Sequence, residues 1–249
     1  MSKKIKVASA QIEVKRLNSE ANIENHVKWI RLAGDYGVDL IVFPELSVTG
    51  YERELAREQA FTATDRRLNV FQELANKNNI NIVIGLPLIE RDDMYIASLV
   101  FSPNIPKVIY KKTYLHVGED EFFCPGKAMT VLTINQYKIA LSICYDIEVD
   151  QHIIDAKELE SDMYVSSIFY SSPGMIGLIE KTQLYNHKYR IPILISNFSG
   201  CVYNSESGGG SMFVSDELNS HLSKDKEGLL ICSYEGNKWT SKKVTPEVS

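Results

Sequence analysis

The sequence predicts an α/β protein, because strand-like and helix-like segments alternate along its 249 residues. The strand-like segments are short apolar runs bounded by turn residues, as in DLIVFPEL at residues 39–46. The helix-like segments repeat apolar residues at helical spacing, as Ile23, Val27 and Ile30 do. With 44% hydrophobic and 24% charged residues, the chain has the length and composition to bury a sizeable core.

The individual elements follow in chain order. The first half predicts a strand at 5–12, a helix after residue 18, a strand at 39–46, a helix at 66–79 and three strands from about 81 to 112. The second half predicts a strand hairpin (TVLTI and KIALSICY), a helix at 147–160, a strand at 162–169, a helix at 175–189, a strand at 191–198 and two late strands (GGSMFVS and GLLICSY). Because we find no linker or short repeat, we expect one domain over residues 1–249, with a candidate polar tail at about 236–249.

Charge and hydropathy patterning narrow the classes of partner. A formal charge of −5 makes nucleic acid an unsuitable partner, because phosphate binding requires a basic face. No segment reaches the roughly 18 to 20 apolar residues that span a bilayer, and the N-terminal MSKKIKVASAQIEV lacks the apolar run of a secretory signal. The scattered cysteines (Cys124, Cys144, Cys201 and Cys232) predict no disulfide framework. We therefore expect a cytoplasmic protein with no membrane partner.

Three segments place reactive side chains at the ends of predicted strands. FPELSVTGY carries Glu45, VIYKKTYL carries Lys112, and ALSICYD carries Cys144 directly before a predicted helix. Taken singly, each residue has a more ordinary interpretation: a solvated carboxylate, a surface lysine and a small buried cysteine. The combination is more informative, because strand ends in α/β proteins border the crevice in which ligands bind.

These three residue types together suit nucleophilic catalysis. A thiol with a pKa of about 8.5 is mostly protonated at neutral pH and requires a base or a cation beside it. A glutamate can take the thiol proton and later deliver a proton to a leaving amine. A lysine ammonium, together with backbone N–H groups after Cys144, can stabilise the oxyanion of a tetrahedral intermediate.

In this order and at these separations, PELSVTGY, YKKTYL and ICYD resemble the Glu, Lys and Cys signatures of the nitrilase superfamily of carbon–nitrogen hydrolases. AQIEV, IVIGLPL, FFCPGK, ISNFSG and GGGSMFV extend the resemblance over nearly the whole chain. The resemblance implies a four-layer α-β-β-α sandwich, a homodimer and no cofactor. It also implies that Glu45 is the general base, Lys112 the oxyanion cation and Cys144 the nucleophile, acting on a small amide substrate through a thioester.

Two assignments have rivals within the same motifs. Lys112 aligns with the lysine of the superfamily pattern, and strand alternation places Lys111 on the opposite face, so we select Lys112. Tyr114 stands where the superfamily pattern has a histidine. Members of the superfamily often use a second glutamate, for which HVGEDEFFCPGK offers Glu119 and Glu121; the spacing to the Pro-Gly pair favours Glu119.

The substrate pocket is predicted less sharply. Tyr51, Phe169 and Tyr170 are candidate lining residues, and Tyr145 is a candidate oxyanion contributor through its backbone N–H. The segments that follow Cys144 depart from the superfamily pattern, with IEVD and SSIFYSSPGMIG in place of the Phe-Pro-Glu and Trp-containing forms. We therefore expect an amidase first, with an N-carbamoyl amide hydrolase and a nitrilase as alternatives.

Three other classes compete with this interpretation. A Cys-His hydrolase would need one of five histidines as a partner for Cys144, but none lies in a recognised Cys-His motif. A zinc enzyme would need ligand spacings that the sequence lacks, so no metal is expected. A binding module that keeps the fold without catalysis is disfavoured, because such a module has no use for the nucleophile.

Overall fold

The computed structural model describes residues 4–245. Within that range the helices are α1 (Ser19–Asp35), α2 (Asn69–Asn78), α3 (Asp150–Glu158) and α4 (Ser172–Tyr189). The strands are β1 (Ile5–Gln11), β2 (Leu40–Val42), β3 (Asn81–Glu90), β4 (Asp93–Ser102), β5 (Ile105–Lys111), β6 (Thr130–Ile134), β7 (Tyr137–Ile143), β8 (Met163–Ser167), β9 (Ile193–Ser196), β10 (Cys201–Val202), β11 (Ser205–Glu206), β12 (Met212–Val214), β13 (Asn219–His221), β14 (Gly228–Glu235) and β15 (Lys238–Val244).

Two mixed sheets contain most of the strands. The seven-stranded sheet has the order β15-β14-β1-β2-β3-β4-β5, and the six-stranded sheet has the order β13-β12-β9-β8-β7-β6. Parallel pairing is confined to β1-β2-β3 in the first sheet and to β7-β8-β9 in the second. Parallel strands are usually buried on both faces, which explains why these segments are nearly continuous apolar runs.

The two sheets pack face to face across a shared core. Ser9 donates a hydrogen bond to the carbonyl oxygen of Ile195 at 2.8 Å, and the Ser196 hydroxyl lies 3.0 Å from the carbonyl oxygen of Val42. Ser196 and Val42 are the last residues of β9 and β2. The carboxyl ends of the parallel strands of both sheets therefore meet at one edge, and residues that leave β2 and β7 there are brought together.

Helices cover the outer face of each sheet. Trp29 of α1 and Phe71 of α2 are fully buried in the core that lies outside the seven-stranded sheet. Ile153 of α3 and Leu178 of α4 are buried in the cluster that includes the six-stranded sheet. The layers follow as helices, sheet, sheet and helices, which confirms the α-β-β-α sandwich.

The structure differs from the sequence-based expectation in three places. The helix expected at 147–160 is divided into a 3₁₀-helix, Cys144–Glu148, and α3. The short strands β10, β11 and β13 were not predicted. The candidate tail at 236–249 was wrong for residues 238–244, which form β15, while residues 246–249 lie outside the described residues. The strand was missed because β15 is an edge strand whose side chains are mostly exposed and polar. The single-domain organisation stays a prediction.

Candidate active site

Glu45 lies just beyond the carboxyl end of β2, in a loop that packs closely against β3. A Cβ atom at Gly85 of β3 would lie 2.4 Å from the backbone nitrogen of Leu46 and 2.6 Å from the carbonyl oxygen of Pro44. Only glycine allows this approach. Leu46 has a positive φ of 52°, so the chain turns sharply directly after Glu45. The IVIGLPL segment thus fixes the position of the carboxylate.

Lys112 directly follows β5 and is also held by a glycine. The backbone N–H of Gly126 donates to the carbonyl oxygen of Lys112 at 2.7 Å, and a Cβ atom at Gly126 would lie 2.2 Å from the carbonyl oxygen of Lys111. The Lys112 side chain is fully buried, whereas Lys111 turns to the other side and pairs with Glu90 at 2.6 Å. The alternation that separates the two lysines is the one expected along a strand.

The Lys112 ammonium joins two buried carboxylates. Its Nζ lies 2.7 Å from Glu45 Oε1 and 2.8 Å from Glu119 Oε1, and all three side chains are at most 1% exposed. Glu119 also accepts hydrogen bonds from the Tyr51 hydroxyl at 2.6 Å and from the backbone N–H of His116 at 2.8 Å. Glu121, the rival second glutamate, is exposed. The cluster therefore contains Glu45, Lys112 and Glu119.

Cys144 occupies a sharp turn at the carboxyl end of β7. Its φ is 47°, a region that a non-glycine residue adopts only where the surrounding structure compels it. Ile143 pairs with Ser167 at the end of β8, so the chain leaves both strands at the same edge, and the Cys144 thiol lies 3.6 Å from the carbonyl oxygen of Phe169. Tyr145 is the second residue of the 3₁₀-helix, where backbone N–H groups have no partner within the helix.

Asp146 ties the two strand ends together. Its carboxylate is fully buried and accepts hydrogen bonds from the backbone N–H groups of Thr113, Tyr114 and Ile143, and from the Tyr110 hydroxyl. Thr113 directly follows Lys112, and Ile143 directly precedes Cys144. One side chain therefore sets the spacing between the lysine and the cysteine, although the sequence analysis gave it no role.

Burial dominates the electrostatics of the cluster. It raises the pKa of Glu45 to about 7, and the nearby Lys112 ammonium offsets only part of that rise. It also raises the pKa of the Cys144 thiol, with Glu45 adding to the rise and Lys112 opposing it. Burial lowers the pKa of Lys112, but its anionic neighbours outweigh burial and raise the pKa overall. The resting site at neutral pH therefore contains a thiol and an ammonium, with a carboxyl group that changes charge near pH 7.

The cluster lies beside a pocket of about 600 Å³. Cys144 and Glu119 border the pocket, and so do all four residues predicted as substrate contacts: Tyr51, Tyr145, Phe169 and Tyr170. The pocket also has polar lining residues that the sequence analysis did not identify: Arg53, His116, Glu148 and Tyr203. These four lie in loops and short elements far apart in the chain, and no periodicity or motif marks them.

The structure also bears on the Cys-His hydrolase, the zinc enzyme and a membrane-spanning helix. In residues 4–245 no histidine is hydrogen-bonded to Cys144. His152 is buried between the hydroxyls of Tyr110 and Tyr164, and burial lowers its pKa. No group of three His, Cys, Asp or Glu side chains in the described part of the chain is arranged to hold a metal ion. None of the helices there has the length and apolarity needed to cross a bilayer.

Known proteins resemble this chain in sequence. A glutamine-dependent NAD(+) synthetase from Thermotoga maritima is 27% identical over 85% of the chain, which covers 38% of that protein. A nitrilase from Pyrococcus abyssi is 29% identical over 57% of the chain, which covers 56% of that protein. The chain therefore spans well under two thirds of the length of these curated relatives.

A solved structure resembles the chain more completely. A double mutant of the amidase from Nesterenkonia sp. AN1, in complex with acrylamide, superimposes with a TM-score of 0.86. The superposition covers 94% of this chain and 92% of that chain at 19% sequence identity, so the two share the fold. The sequence profile of the carbon–nitrogen hydrolase family matches residues 6–235. The chain therefore belongs to the carbon–nitrogen hydrolase family.

Proposed function

We propose that the protein hydrolyses the C–N bond of a small, non-peptide amide through a thioester on Cys144 and releases ammonia. The observation that carries the proposal is the Lys112 ammonium, held between Glu45 and Glu119 with no exposure to solvent, beside the pocket that Cys144 borders. Burying an ion cluster in this way is costly for stability, and such groups concentrate where chemistry requires them.

Glu45 is the proposed general base. Its Oε1 accepts from Lys112, whereas its Oε2 is buried and has no hydrogen-bond partner among residues 4–245. That free oxygen is available to accept the proton of Cys144. Since burial raises the pKa of the thiol, we infer that the proton moves to Glu45 as the sulfur attacks the amide carbon, without a stable thiolate beforehand.

Lys112 is the proposed oxyanion cation. An ammonium has three N–H donors, and Glu45 and Glu119 take two of them. The third is available for the oxygen that becomes negative when the C–S bond forms. The backbone N–H of Tyr145 is the second proposed donor, because it lies directly after the nucleophile at the start of a helix. Collapse of this intermediate breaks the C–N bond, and Glu45 returns its proton to the departing ammonia.

The second half of the reaction reuses the same groups. Water attacks the thioester carbon while Glu45 takes one of its protons, and Lys112 again stabilises the oxyanion. Breakage of the C–S bond then releases a carboxylic acid, and Glu45 reprotonates the thiol. Glu119 acts through Lys112, because its three hydrogen bonds hold the ammonium in place.

Cys144→Ala and Cys144→Ser test the proposal. We expect each to lower ammonia release by at least about 10⁴-fold while leaving the fold intact, because the nucleophile is lost with little change in volume. The measurement is ammonia release across aliphatic amides, ω-amides, N-carbamoyl compounds and nitriles. Cys232→Ala removes a buried thiol that does not line the pocket and serves as the matched control.

Each outcome of that screen has a definite meaning. Ammonia release that persists in the Cys144 variants would refute the mechanism. Turnover confined to N-carbamoyl compounds or to nitriles would select one of the alternatives to the amidase. Absence of turnover in every class would favour a binding module that retains the fold.

Two further expectations belong with this proposal. Cytoplasmic location stays a prediction. A homodimer also stays a prediction, and exposed apolar side chains on α4 support it, since Ile176, Ile179 and Leu184 are 67%, 41% and 58% exposed. Apolar groups exposed on one helix are a common feature of surfaces that pack against another chain.

A further inference from the structure

Arg53 lies at the wall of the pocket in a position that other residues define closely. Its guanidinium lies over the ring of Tyr203 at 5.1 Å and donates to the Tyr203 hydroxyl at 3.0 Å. On another side it lies against Gly118, where a Cβ atom would be only 2.9 Å from Nη1. Gly118 also has a φ of 83°, so a larger residue there would be strained and would displace the guanidinium.

The positive charge of Arg53 has few close partners among the described residues. The nearest carboxylate, that of Glu54, lies 3.8 Å from Nη2, beyond hydrogen-bond distance, and itself accepts a hydrogen bond from Tyr203. The contact from Nη1 to the carbonyl oxygen of Val117 is 3.5 Å long, and Nε is buried with no partner in the described part of the chain. A guanidinium has two N–H donors on each Nη atom, so Nη1 and Nη2 each keep one donor for a ligand beside these contacts.

The two acidic side chains that border the pocket already have partners within the protein. Glu119 accepts from Lys112, Tyr51 and His116. Glu148 accepts from the Tyr170 hydroxyl at 2.6 Å and pairs with Lys181 at 3.0 Å. The pocket therefore offers free donors to an anion, whereas both of its acidic side chains are occupied by partners within the protein.

An aromatic surface connects Arg53 to the reactive groups. The hydroxyl of Tyr51 contacts Glu119, and the ring of Tyr51 packs against Phe169 at 5.3 Å and against Tyr203 at 5.5 Å. One end of this surface thus lies at the Lys112 cluster and the other end lies at the guanidinium. A short apolar chain with an amide at one end and an anion at the other would match it.

Building on the proposed function, we propose that Arg53 binds a carboxylate of the substrate, and that the substrate is the monoamide of a short dicarboxylic acid. The planar guanidinium matches a carboxylate through two parallel hydrogen bonds, a geometry that also fixes the direction of the molecule in the pocket. With the carboxylate held at Arg53, the amide at the opposite end of the chain is directed toward Cys144.

The test compares substrates that differ in one charge. Succinamate and glutaramate carry the carboxylate, and succinamide and glutaramide carry a neutral amide of similar size in its place. We expect the wild type to favour the charged member of each pair in kcat/KM. Arg53→Met should lower that preference by about 10- to 100-fold, since hydrogen bonds to charged groups have this magnitude, and mainly through KM. Arg53→Lys should restore part of it.

Arg57→Met is the matched control. Arg57 is four residues further along, is exposed, and donates to the carbonyl oxygen of Asp92 outside the pocket. The same substitution there should leave the ratio between charged and neutral substrates as it is in the wild type. Equal turnover of charged and neutral amides by the wild type, with no change of ratio in Arg53→Met, would overturn the inference while leaving the hydrolase intact.

Binding measurements test the carboxylate site at Arg53 independently of the proposed chemistry. Calorimetric titration of Cys144→Ala with succinamate and glutaramate should show binding that a second substitution, Arg53→Met, weakens. Binding that depends on Arg53, without turnover by the wild type, would refute the proposed function and leave the carboxylate site standing. Failure of both monoamides to bind would overturn the inference. Higher kcat/KM for glutamine than for glutaramate would overturn the substrate class, because Glu119 and Glu148, the acidic side chains that border the pocket in the described residues, already have partners and would not pair with an additional ammonium group.

Discussion

Two parts of the site are built in opposite ways: the buried cluster of Glu45, Lys112 and Glu119 beside the pocket, here called the floor, and the wall of the pocket at Arg53 and Tyr203. On the floor, Lys112 is held by Glu45 and Glu119 at 2.7 and 2.8 Å, and every one of these side chains is shielded from solvent. On the wall, Arg53 is partly exposed and has a single hydrogen bond of ordinary length, to Tyr203. The floor pairs its ammonium with two carboxylates, whereas the wall leaves the charge of Arg53 available to a ligand.

Under the proposed function, this difference separates the groups that carry out the chemistry from the group that selects the substrate. A proton-transfer group must be held within narrow limits, which the interlocked hydrogen bonds of the floor provide. A group that selects substrates must keep hydrogen-bond donors unpaired until the ligand binds. Donors that are already paired within the protein contribute little additional free energy to binding. If this view is correct, substitutions on the floor should lower turnover on every amide, and substitutions on the wall should change which amide is preferred.

Glu45→Gln should give the largest effect among the partners of Cys144. Loss of a positioned general base typically lowers the rate by about 10²- to 10⁴-fold, so kcat should fall within that range on charged and neutral amides alike. Because the base acts when ionised and burial raises the pKa of Glu45 to about 7, kcat/KM of the wild type should rise with pH up to about 7 and then level off. The measurement is a pH profile of ammonia release.

The Glu45→Gln variant tests whether Glu45 is the group that titrates in that profile. Glutamine has no proton to lose in this range, so the rising limb should disappear in Glu45→Gln. A limb that persists at the same pH would assign the titration to another group and would break the link between the free Oε2 and the chemistry.

Lys112→Met should give the second-largest loss of kcat. Removal of one oxyanion donor costs about 10²- to 10³-fold in kcat, and KM should change much less. Methionine keeps the length of the buried chain, and circular dichroism reports whether the fold survives with two unpaired carboxylates. Since Lys112 lowers the pKa of Glu45, its loss should also move the rising limb of the pH profile to higher pH.

The neighbouring lysine provides the control. Lys111 pairs with Glu90 and lies over the ring of Tyr95, outside the pocket. Lys111→Met should leave kcat close to that of the wild type. Equal losses in the two variants would mean that the region tolerates neither substitution and that Lys112 has no special role.

Much of the floor was predictable from the sequence, for identifiable reasons. Glu45, Lys112 and Cys144 each follow a strand, and short motifs surround them, so local sequence marks both their identity and their position. Strand alternation, together with the superfamily pattern, separated Lys112 from Lys111. The α/β class was predictable because the parallel strands are nearly continuous apolar runs and the helices show regular periodicity. The four-layer sandwich came from the resemblance to the nitrilase superfamily and not from those patterns.

The wall was not predictable in the same way. Arg53 and Tyr203 are 150 residues apart in the chain, and their contact depends on how two loops meet after folding. The positive φ of Cys144 and the 3₁₀-helix that follows were also missed, because helical periodicity from residue 147 onward masks the turn. Asp146 was visible within ICYD, but its role depends on N–H groups from a distant segment, which no local pattern reveals.

Asp146→Asn tests whether the spacing between the two halves of the floor matters in itself, and it should have the smallest effect on rate. The carboxylate of Asp146 accepts hydrogen bonds from backbone N–H groups, and the amide nitrogen of asparagine would face some of those donors without accepting from them. This should lower the free energy of unfolding by about 2 to 3 kcal/mol. We expect kcat to fall about tenfold, since displacement of positioned groups reduces rate without removing any of them. The rising limb of the pH profile should stay near 7, because Glu45 keeps its surroundings.

Asp150→Asn is the control for Asp146→Asn, because Asp150 is exposed and asparagine keeps an oxygen for the Tyr185 hydroxyl. Its free energy of unfolding should change by no more than about 0.5 kcal/mol, as measured by urea denaturation. If Asp146→Asn loses stability but keeps full kcat, the floor does not depend on the spacing that Asp146 sets. A lower kcat with an unchanged pH profile would instead show that Asp146 acts by positioning the other groups. Glu45→Gln and Lys112→Met should not give this result, because each is expected to change the rising limb of the pH profile.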